Sequence, residues 1–258
     1  MVQIMLKQDK TQRGQSETHF GFKNVSISEK SLLVRDVFNS VAPNYDLMND
    51  IMSLGIHRLW KNALINKLNI KQNTRLIDVG GGTGDIALKL VEEGNSNIVV
   101  TDINTEMLKV GQNRAIDQGI INGIEWLGGD AEQLPFKNSS FDIYTTAFCM
   151  RNVTQLDQAL QEAYRILKPG GRFLCLEFSH MIIPSLTKLY DSYSFKLLPL
   201  MGQMFANDKA SYQYLAESIR RFPKQEEFVA LINKSGLEKI TYQNLSCGIV
   251  AIHLAWKI

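Results

Sequence analysis

A chain of 258 residues holds one large domain with a well-buried core and is too short for two comfortable ones. Its 45% hydrophobic and 21% charged residues are ordinary for a globular protein, and no apolar run approaches the ~20 residues that span a bilayer. A net charge of +2, with Lys and Arg scattered, makes no case for a nucleic-acid partner; the three cysteines (Cys149, Cys175, Cys247) lack metal-ligand spacing and read as thiols in a reducing cytosol.

Residues 1–17 are polar, without the apolar core of a secretory signal or the Arg-rich, acid-poor character of a mitochondrial presequence. They read as a disordered tail on a cytoplasmic protein of bacterial type. Residues 18–70 read as an N-terminal helical cap. A helix begins near Ser28, a candidate N-cap, carries Leu32, Leu33, Val37 and Val41 at threes and fours, and stops at Pro43. Met48, Ile51, Met52, Leu59, Trp60 and Leu64 read as packing residues around a break at Gly55, and His57 as a partly buried hydrogen-bonding group. Tyr45 follows the proline turn, where a cap of this kind closes over a ligand.

Residues 71–180 carry the pattern that decides the fold. Leu76-Ile77-Asp78-Val79 is a short apolar run with β-branched residues, suited to a strand covered on both faces. Gly80, Gly82 and Gly84 interrupt it, and a helical stripe of Ile86, Leu90 and Val91 follows. The spacing is G-x-G-x-G; a dinucleotide fingerprint would need its third glycine at Asp85. Acids flank this turn at Asp78 and Asp85, which suits a cationic ligand rather than a pyrophosphate. A second strand, Ile98 to Asp102, ends in an acid 18 residues beyond Gly84, placed to accept ribose hydroxyls. A third, Ile124 to Leu127, leads to Asp130, placed to meet an adenine amino group. An acid at each of three successive strand ends points to S-adenosylmethionine, which carries a sulfonium, an ammonium and one carboxylate.

Phe141 to Phe148 is a fourth strand, leading into Cys149-Met150-Arg151-Asn152. A helix with Leu156, Leu160, Ala163 and Leu167 ends at Pro169-Gly170-Gly171, and Phe173 to Phe178 is a fifth strand. Such alternation predicts a doubly wound, Rossmann-like α/β sheet that binds ligands at the carboxyl ends of its strands. Residues 181–222, rich in Leu, Met, Phe and Tyr, read as a helical insertion and a candidate substrate cover. Residues 223–258 read as a helix (Lys224 to Lys234) and a closing antiparallel pair.

Two runs carry a resemblance. Tyr45-Asp46, Met48-Asn49, Ser53, His57 and Trp60 form one; Arg165 to Gly171 with Glu177-Phe178-Ser179 form the other. They resemble the signature runs of the ubiquinone/menaquinone biosynthesis C-methyltransferases. Arg151 to Thr154, Tyr190 to Phe195 and Tyr212 to Arg220 are similar too, and Thr18 to Phe22 looks more like the ubiquinone branch. The resemblance implies a class I S-adenosylmethionine-dependent methyltransferase, a seven-stranded, mostly parallel sheet with helices on both faces, acting on a ring carbon of a polyprenylated quinol. Carried over by position, cofactor contacts fall on Thr83, Asp102, Asp130 and Ala131, beside Asp78, Gly80, Gly82 and Gly84. Ala147 stands where the family commonly has serine.

A ring carbon becomes nucleophilic when a neighbouring hydroxyl ionises. Arg151 cannot be a base, because guanidinium stays protonated, but a fixed cation there would lower the quinol pKa. Asn152 and Tyr45 would orient the ring hydroxyls, and His180 is a rival base. A nicotinamide enzyme would need the longer glycine spacing, and an amino or nucleic-acid methylase an N/D-P-P-aromatic run where this chain has Ala147-Phe148-Cys149-Met150. A non-catalytic quinone-binding component would not need the acid-glycine set. The isoprenoid tail implies a meeting at a membrane surface, and Ile182, Ile183, Leu186, Leu189, Phe195, Leu197, Leu198, Leu200, Met201, Met204 and Phe205 supply apolar contact for it. Membership of a quinone-biosynthesis complex and a homodimer are both compatible with this pattern.

Overall fold

The structure, a computed structural model, describes residues 17–41, 49–50, 53–206 and 208–258. Tyr45, Met48, Ile51 and Met52 lie outside them. At the N-terminus β1 (Glu17–Phe20) and β2 (Lys23–Ser26) form an antiparallel hairpin that the helical cap reading did not anticipate, and Glu17, assigned to the tail, begins it. The hairpin feeds directly into α1 (Ile27–Val41), whose first turn is capped by Ser26 rather than Ser28: the Ser26 hydroxyl accepts the Glu29 N–H at 3.2 Å. The buried face of α1 also differs from the stripe that spacing suggests. Lys30, Val34 and Val41 are buried while Leu32 is 51% exposed. Lys30 joins that face because its Nζ donates to the Val153 carbonyl at 2.7 Å, so a charged side chain does not mark the solvent side here.

Beyond α2 (His57–Leu68) the chain enters the main sheet, composed of β3 (Leu76–Val79), β4 (Ile98–Asp102), β5 (Ile124–Gly128), β6 (Phe141–Ala147), β7 (Leu167–Phe178), β8 (Glu238–Leu245) and β9 (Val250–Trp256). The order is β5-β4-β3-β6-β7-β9-β8. Strands β3 to β7 run parallel, and β9 is antiparallel to both its neighbours, as the closing pair predicts. All four residues of β3 are buried, which explains its unbroken apolar reading apart from Asp78. Between the strands run α3 (Asp85–Glu92), α4 (Thr105–Asp117) and α5 (Leu156–Ile166). Strand β7 is longer than predicted: α5 stops at Ile166, and Pro169-Gly170-Gly171 lies within the strand, where Gly170 at φ +80° donates its N–H to Lys257 O.

The described part of the insertion is mainly helical, as α6 (Pro184–Ser192), a π-turn (Tyr193–Leu197), α7 (Leu198–Ala206) and α8 (Lys209–Arg221); α9 (Gln225–Lys234) precedes the closing strands. The hairpin reaches this layer. Phe20 stacks on Tyr214, and the Phe22 N–H donates to Glu217 at 3.1 Å.

The turn from β3 to α3 is closely packed. Gly80 and Gly81 both donate to Thr101 O at the end of β4, at 2.8 and 3.2 Å, tying two strand ends together. Gly84 sits at φ +78° as the N-cap of α3, under the Trp126 ring, where a Cβ would come within 2.3 Å of the indole. Gly84→Ala should therefore lose about 2 kcal/mol of stability from backbone strain and ring displacement together. Urea denaturation measures this, and an unchanged midpoint would show that the turn relaxes freely.

Candidate active site

Two cavities open beside the turn, and Gly80 lines both. The larger, about 820 Å³ including its mouth, brings together Gly82, Asp102, Asp130 and Ala131 with Phe148, Cys149 and Asn152 and, from α1, Val34 and Phe38. The smaller is lined by Asp78, Gly81, Thr83, Asp85, Ala147 and Lys61. Gly80 is at φ +66°, and a Cβ on it would lie 2.2 Å from Cys149 Sγ, so only glycine lets β3 and the segment after β6 close to this distance.

The acids differ in how they are satisfied. Asp102 accepts N–H groups from Gly82 at 2.9 Å and Asn104 at 2.8 Å, one on each carboxylate oxygen, which leaves lone pairs on both for a diol. Burial raises its pKa to about 6 against the pull of those N–H groups. Asp78 is buried and its Oδ1 has no hydrogen-bond partner among the described residues. Burial raises it to about 8, opposed by Lys61 and reinforced by Asp102 and Asp85. Asp85 is the opposite case. Burial alone would raise it, but Lys61 at 2.5 Å and Arg114 at 2.8 Å hold it at about 2. Arg114 also donates to the Thr83 hydroxyl at 3.0 Å.

This set fits S-adenosylmethionine on a direct test. The orphaned buried oxygen of Asp78 needs a cationic donor, which an ammonium supplies; Lys61 beside it suits a carboxylate; Asp102 suits a ribose; Asp130 and Ala131 line the same cavity as Asp102. The predicted cofactor residues are thus divided between the two cavities. Gly84 alone lines neither and serves the turn instead.

The residues predicted for chemistry part company. Asn152 lines the large cavity; its Nδ2 donates to Phe148 O at 3.3 Å, and its Oδ1 accepts the Tyr214 hydroxyl at 3.1 Å. Arg151 is buried, does not line that cavity, and bonds Glu177 at 2.8 Å and the Phe148 carbonyl, with its guanidinium 5.2 Å from the Phe178 ring centroid. The fixed cation expected at Arg151 is thus one half of a buried ion pair. Tyr45 lies outside the described residues. His180, the rival base, is at 2.9 Å from the Phe222 carbonyl and lines neither cavity. Cys149 lines the cavity, but loss of solvation pushes its thiol well above the usual range, as do Asp102 and Glu177.

Residues 24–257 match the model of the ubiE/COQ5 methyltransferase family. The chain belongs to that family. It is 51% identical to mitochondrial 2-methoxy-6-polyprenyl-1,4-benzoquinol methylase of Homo sapiens over 278 aligned residues, covering 94% of this chain and 85% of the relative. It is likewise 51% identical to the ubiquinone/menaquinone biosynthesis C-methyltransferase UbiE of Brucella abortus (strain S19), covering 95% and 93%. Among solved structures it resembles an S-adenosylmethionine-dependent methyltransferase of Thermotoga maritima (TM-score 0.61, 21% identity, 86% of this chain and 99% of that one). A second is phosphoethanolamine N-methyltransferase 2 of Haemonchus contortus with S-adenosylmethionine (TM-score 0.56, 18% identity, 76% and 52%). At these identities the structural likeness is one of fold, the class I methyltransferase fold. The chain is an S-adenosylmethionine-dependent C-methyltransferase.

Within this methyltransferase, spacing alone missed Lys61, Arg114, Val34 and Phe38. Lys61 directly follows Trp60, the last residue of a run already singled out, but its partner Asp85 is 24 residues away and the pairing becomes visible only in three dimensions. Val34 and Phe38 are four apart and would have been found by following the other face of α1.

Three outcomes follow from the charges. An Asp78 carboxyl neutral without ligand and ionised against an ammonium means that cofactor binding at pH 7 releases nearly one proton, since pH 7 lies below a pKa of about 8. Calorimetry in buffers of different ionisation enthalpy reads this, and Asp78→Asn should abolish most of it. Without ligand, the same raised pKa makes the wild type lose stability as pH climbs from about 4 to about 8, a slope that Asp78→Asn should lack. Arg151→Met, which leaves Glu177 buried and unpaired, should cost about 3–5 kcal/mol in urea denaturation, with most of it regained in Arg151→Met/Glu177→Leu.

Proposed function

We propose that this methyltransferase places a methyl group on a ring carbon of a polyprenylated benzoquinol, the kind of substrate named for its mitochondrial relatives. The observation that carries this reading is the composition of the large cavity. Apolar walls from Val34, Phe38 and Phe148 suit a flat ring, one amide at Asn152 suits a ring oxygen, and both adjoin the acids suited to the cofactor across Gly80 and Cys149.

When bound, S-adenosylmethionine supplies an activated methyl group on its sulfonium. The protein's own part is to hold the ring and favour its ionised form. Asn152 Nδ2 donates one hydrogen to Phe148 O and keeps the second for a ring oxygen, which strengthens as that oxygen gains charge. Arg151 acts from behind the cavity wall. Paired with Glu177, it offers a dipole rather than a net charge, and its bond to Phe148 O fixes the same carbonyl that Asn152 uses. Tyr45 is assigned to the second ring hydroxyl and water to the proton. Methyl transfer to short-chain benzoquinol and naphthoquinol analogues, measured side by side, tests the reading. The benzoquinol is expected to be preferred; turnover of neither would overturn it.

No helix among the described residues is long and apolar enough to cross a membrane. A peripheral contact is proposed at the insertion, where Ile182, Ile183, Leu186, Phe195, Leu197, Leu200 and Met204 are exposed beside Lys196. Leu198, grouped with them from sequence, is 4% exposed and belongs to the core. Flotation with anionic liposomes should be lost in Leu197→Glu/Leu200→Glu. Equal flotation of the two proteins removes the membrane role, and sedimentation of the same pair then reads whether the patch joins two copies of the chain.

A further inference from the structure

Tyr214 lies in the run Tyr212 to Arg220, which carries the family resemblance yet supplies no residue to either cavity. It is 5% exposed, in the middle of α8. Phe20 of the N-terminal hairpin stacks on its ring with centroids 4.1 Å apart and planes 11° from parallel. Its hydroxyl donates to Asn152 Oδ1 at 3.1 Å. The Phe148 carbonyl can only accept, so the Asn152 edge beside it is the NH₂ edge, and the oxygen edge is the one turned to Tyr214. The Phe148 carbonyl also accepts from Arg151, and its contact with Asn152, at 3.3 Å, is the longer of the two that hold the amide.

We infer that Tyr214 is a positioning residue for the reaction: its hydroxyl, braced by Phe20, locks the Asn152 amide with one Nδ2 hydrogen left for the substrate cavity. The inference rests on the reading of Asn152 as donor to a ring oxygen. The terminal torsion of an asparagine is broad, and without a partner on Oδ1 the amide plane is held only by the 3.3 Å contact to Phe148 O. A donor to a developing oxyanion works when it is set before the charge appears. The charged groups that face the Tyr214 hydroxyl are Arg151 and Glu177, which are paired with each other and leave no net charge to take over its role.

The test compares full-length wild type with Tyr214→Phe, Asn152→Ala and the double variant, on a short-chain benzoquinol. Tyr214→Phe should lower kcat about tenfold, with the quinol KM and the calorimetric cofactor affinity within about twofold of wild type. Its kcat–pH profile should move to higher pH, because the bound ring hydroxyl is harder to ionise; a merely structural role would leave the profile where it was. The double variant should be no slower than Asn152→Ala. Wild-type kcat and profile in Tyr214→Phe, against a slow Asn152→Ala, would overturn the positioning role while leaving Asn152 in place. Additive losses in the double variant would overturn it as well. A fast Asn152→Ala would instead remove the underlying reading, and this inference with it. Should Tyr214→Phe not fold, Phe20→Leu, which keeps the hydroxyl but loosens its support, should show the same profile shift in smaller measure, and an unshifted profile there would count against the role.

Discussion

A buried carboxyl with one oxygen left unpartnered among the described residues is the condition around which this end of the molecule is built. Asp78 sits near the end of β3, the middle one of the five parallel strands, is buried, and its Oδ1 has no partner among the described residues. Fixed donors already satisfy the two neighbouring acids: backbone N–H groups for Asp102, and Lys61 with Arg114 for Asp85. Each arrangement lowers the repulsion on Asp78 without neutralising it. The fold therefore keeps one acid unsatisfied, and a ligand that brings an ammonium removes a penalty the empty protein carries. The glycine turn serves the same end, since its backbone must come close to whatever fills the site.

Arg151 and Glu177 solve a similar problem in the other way. Both are buried and they meet at 2.8 Å, with aromatic rings over the guanidinium. Such a pair is a poor source of stability but a strong constraint on geometry, because either partner left alone would be a buried charge. Here it fixes the segment Phe148 to Asn152, of which Phe148, Cys149 and Asn152 line the large cavity. An arginine that reads from sequence as a fixed cation for the quinol is, in the fold, paired with Glu177 and bonded to the Phe148 carbonyl.

What sequence could show follows from this difference. The strands and the acids near their ends are legible because Asp78, Asp102 and Asp130 lie in or just after largely apolar runs, at the carboxyl ends where a parallel sheet binds its ligands. The closing antiparallel pair is legible for the same reason of pattern. The hairpin was not, since four-residue strands with little burial leave hardly any periodicity. Neither was the buried face of α1, where Lys30 breaks the stripe, nor the position of Leu198 in the core. Partnerships over long separations, such as Lys61 with Asp85, Arg151 with Glu177 and Tyr214 with Asn152, have no local signal at all.

Those long-range partnerships also tie the chain's additions to its core. The hairpin and α1 come before the sheet, and the insertion follows β7, yet they converge on one loop after β6. Thr18 donates to Thr154 O and Lys30 to Val153 O from one side, and Tyr214 reaches Asn152 from the other. Three consecutive residues, Asn152 to Thr154, are thereby held by elements separated by more than a hundred positions in sequence. Glu132 completes the clamp by accepting the backbone N–H groups of Thr154 and Gln155. A loop that could move in a bare sheet of this type is immobilised from three directions. That rigidity is what a reaction needs when its two reactants must meet within a fraction of an ångström and the protein offers them no covalent help.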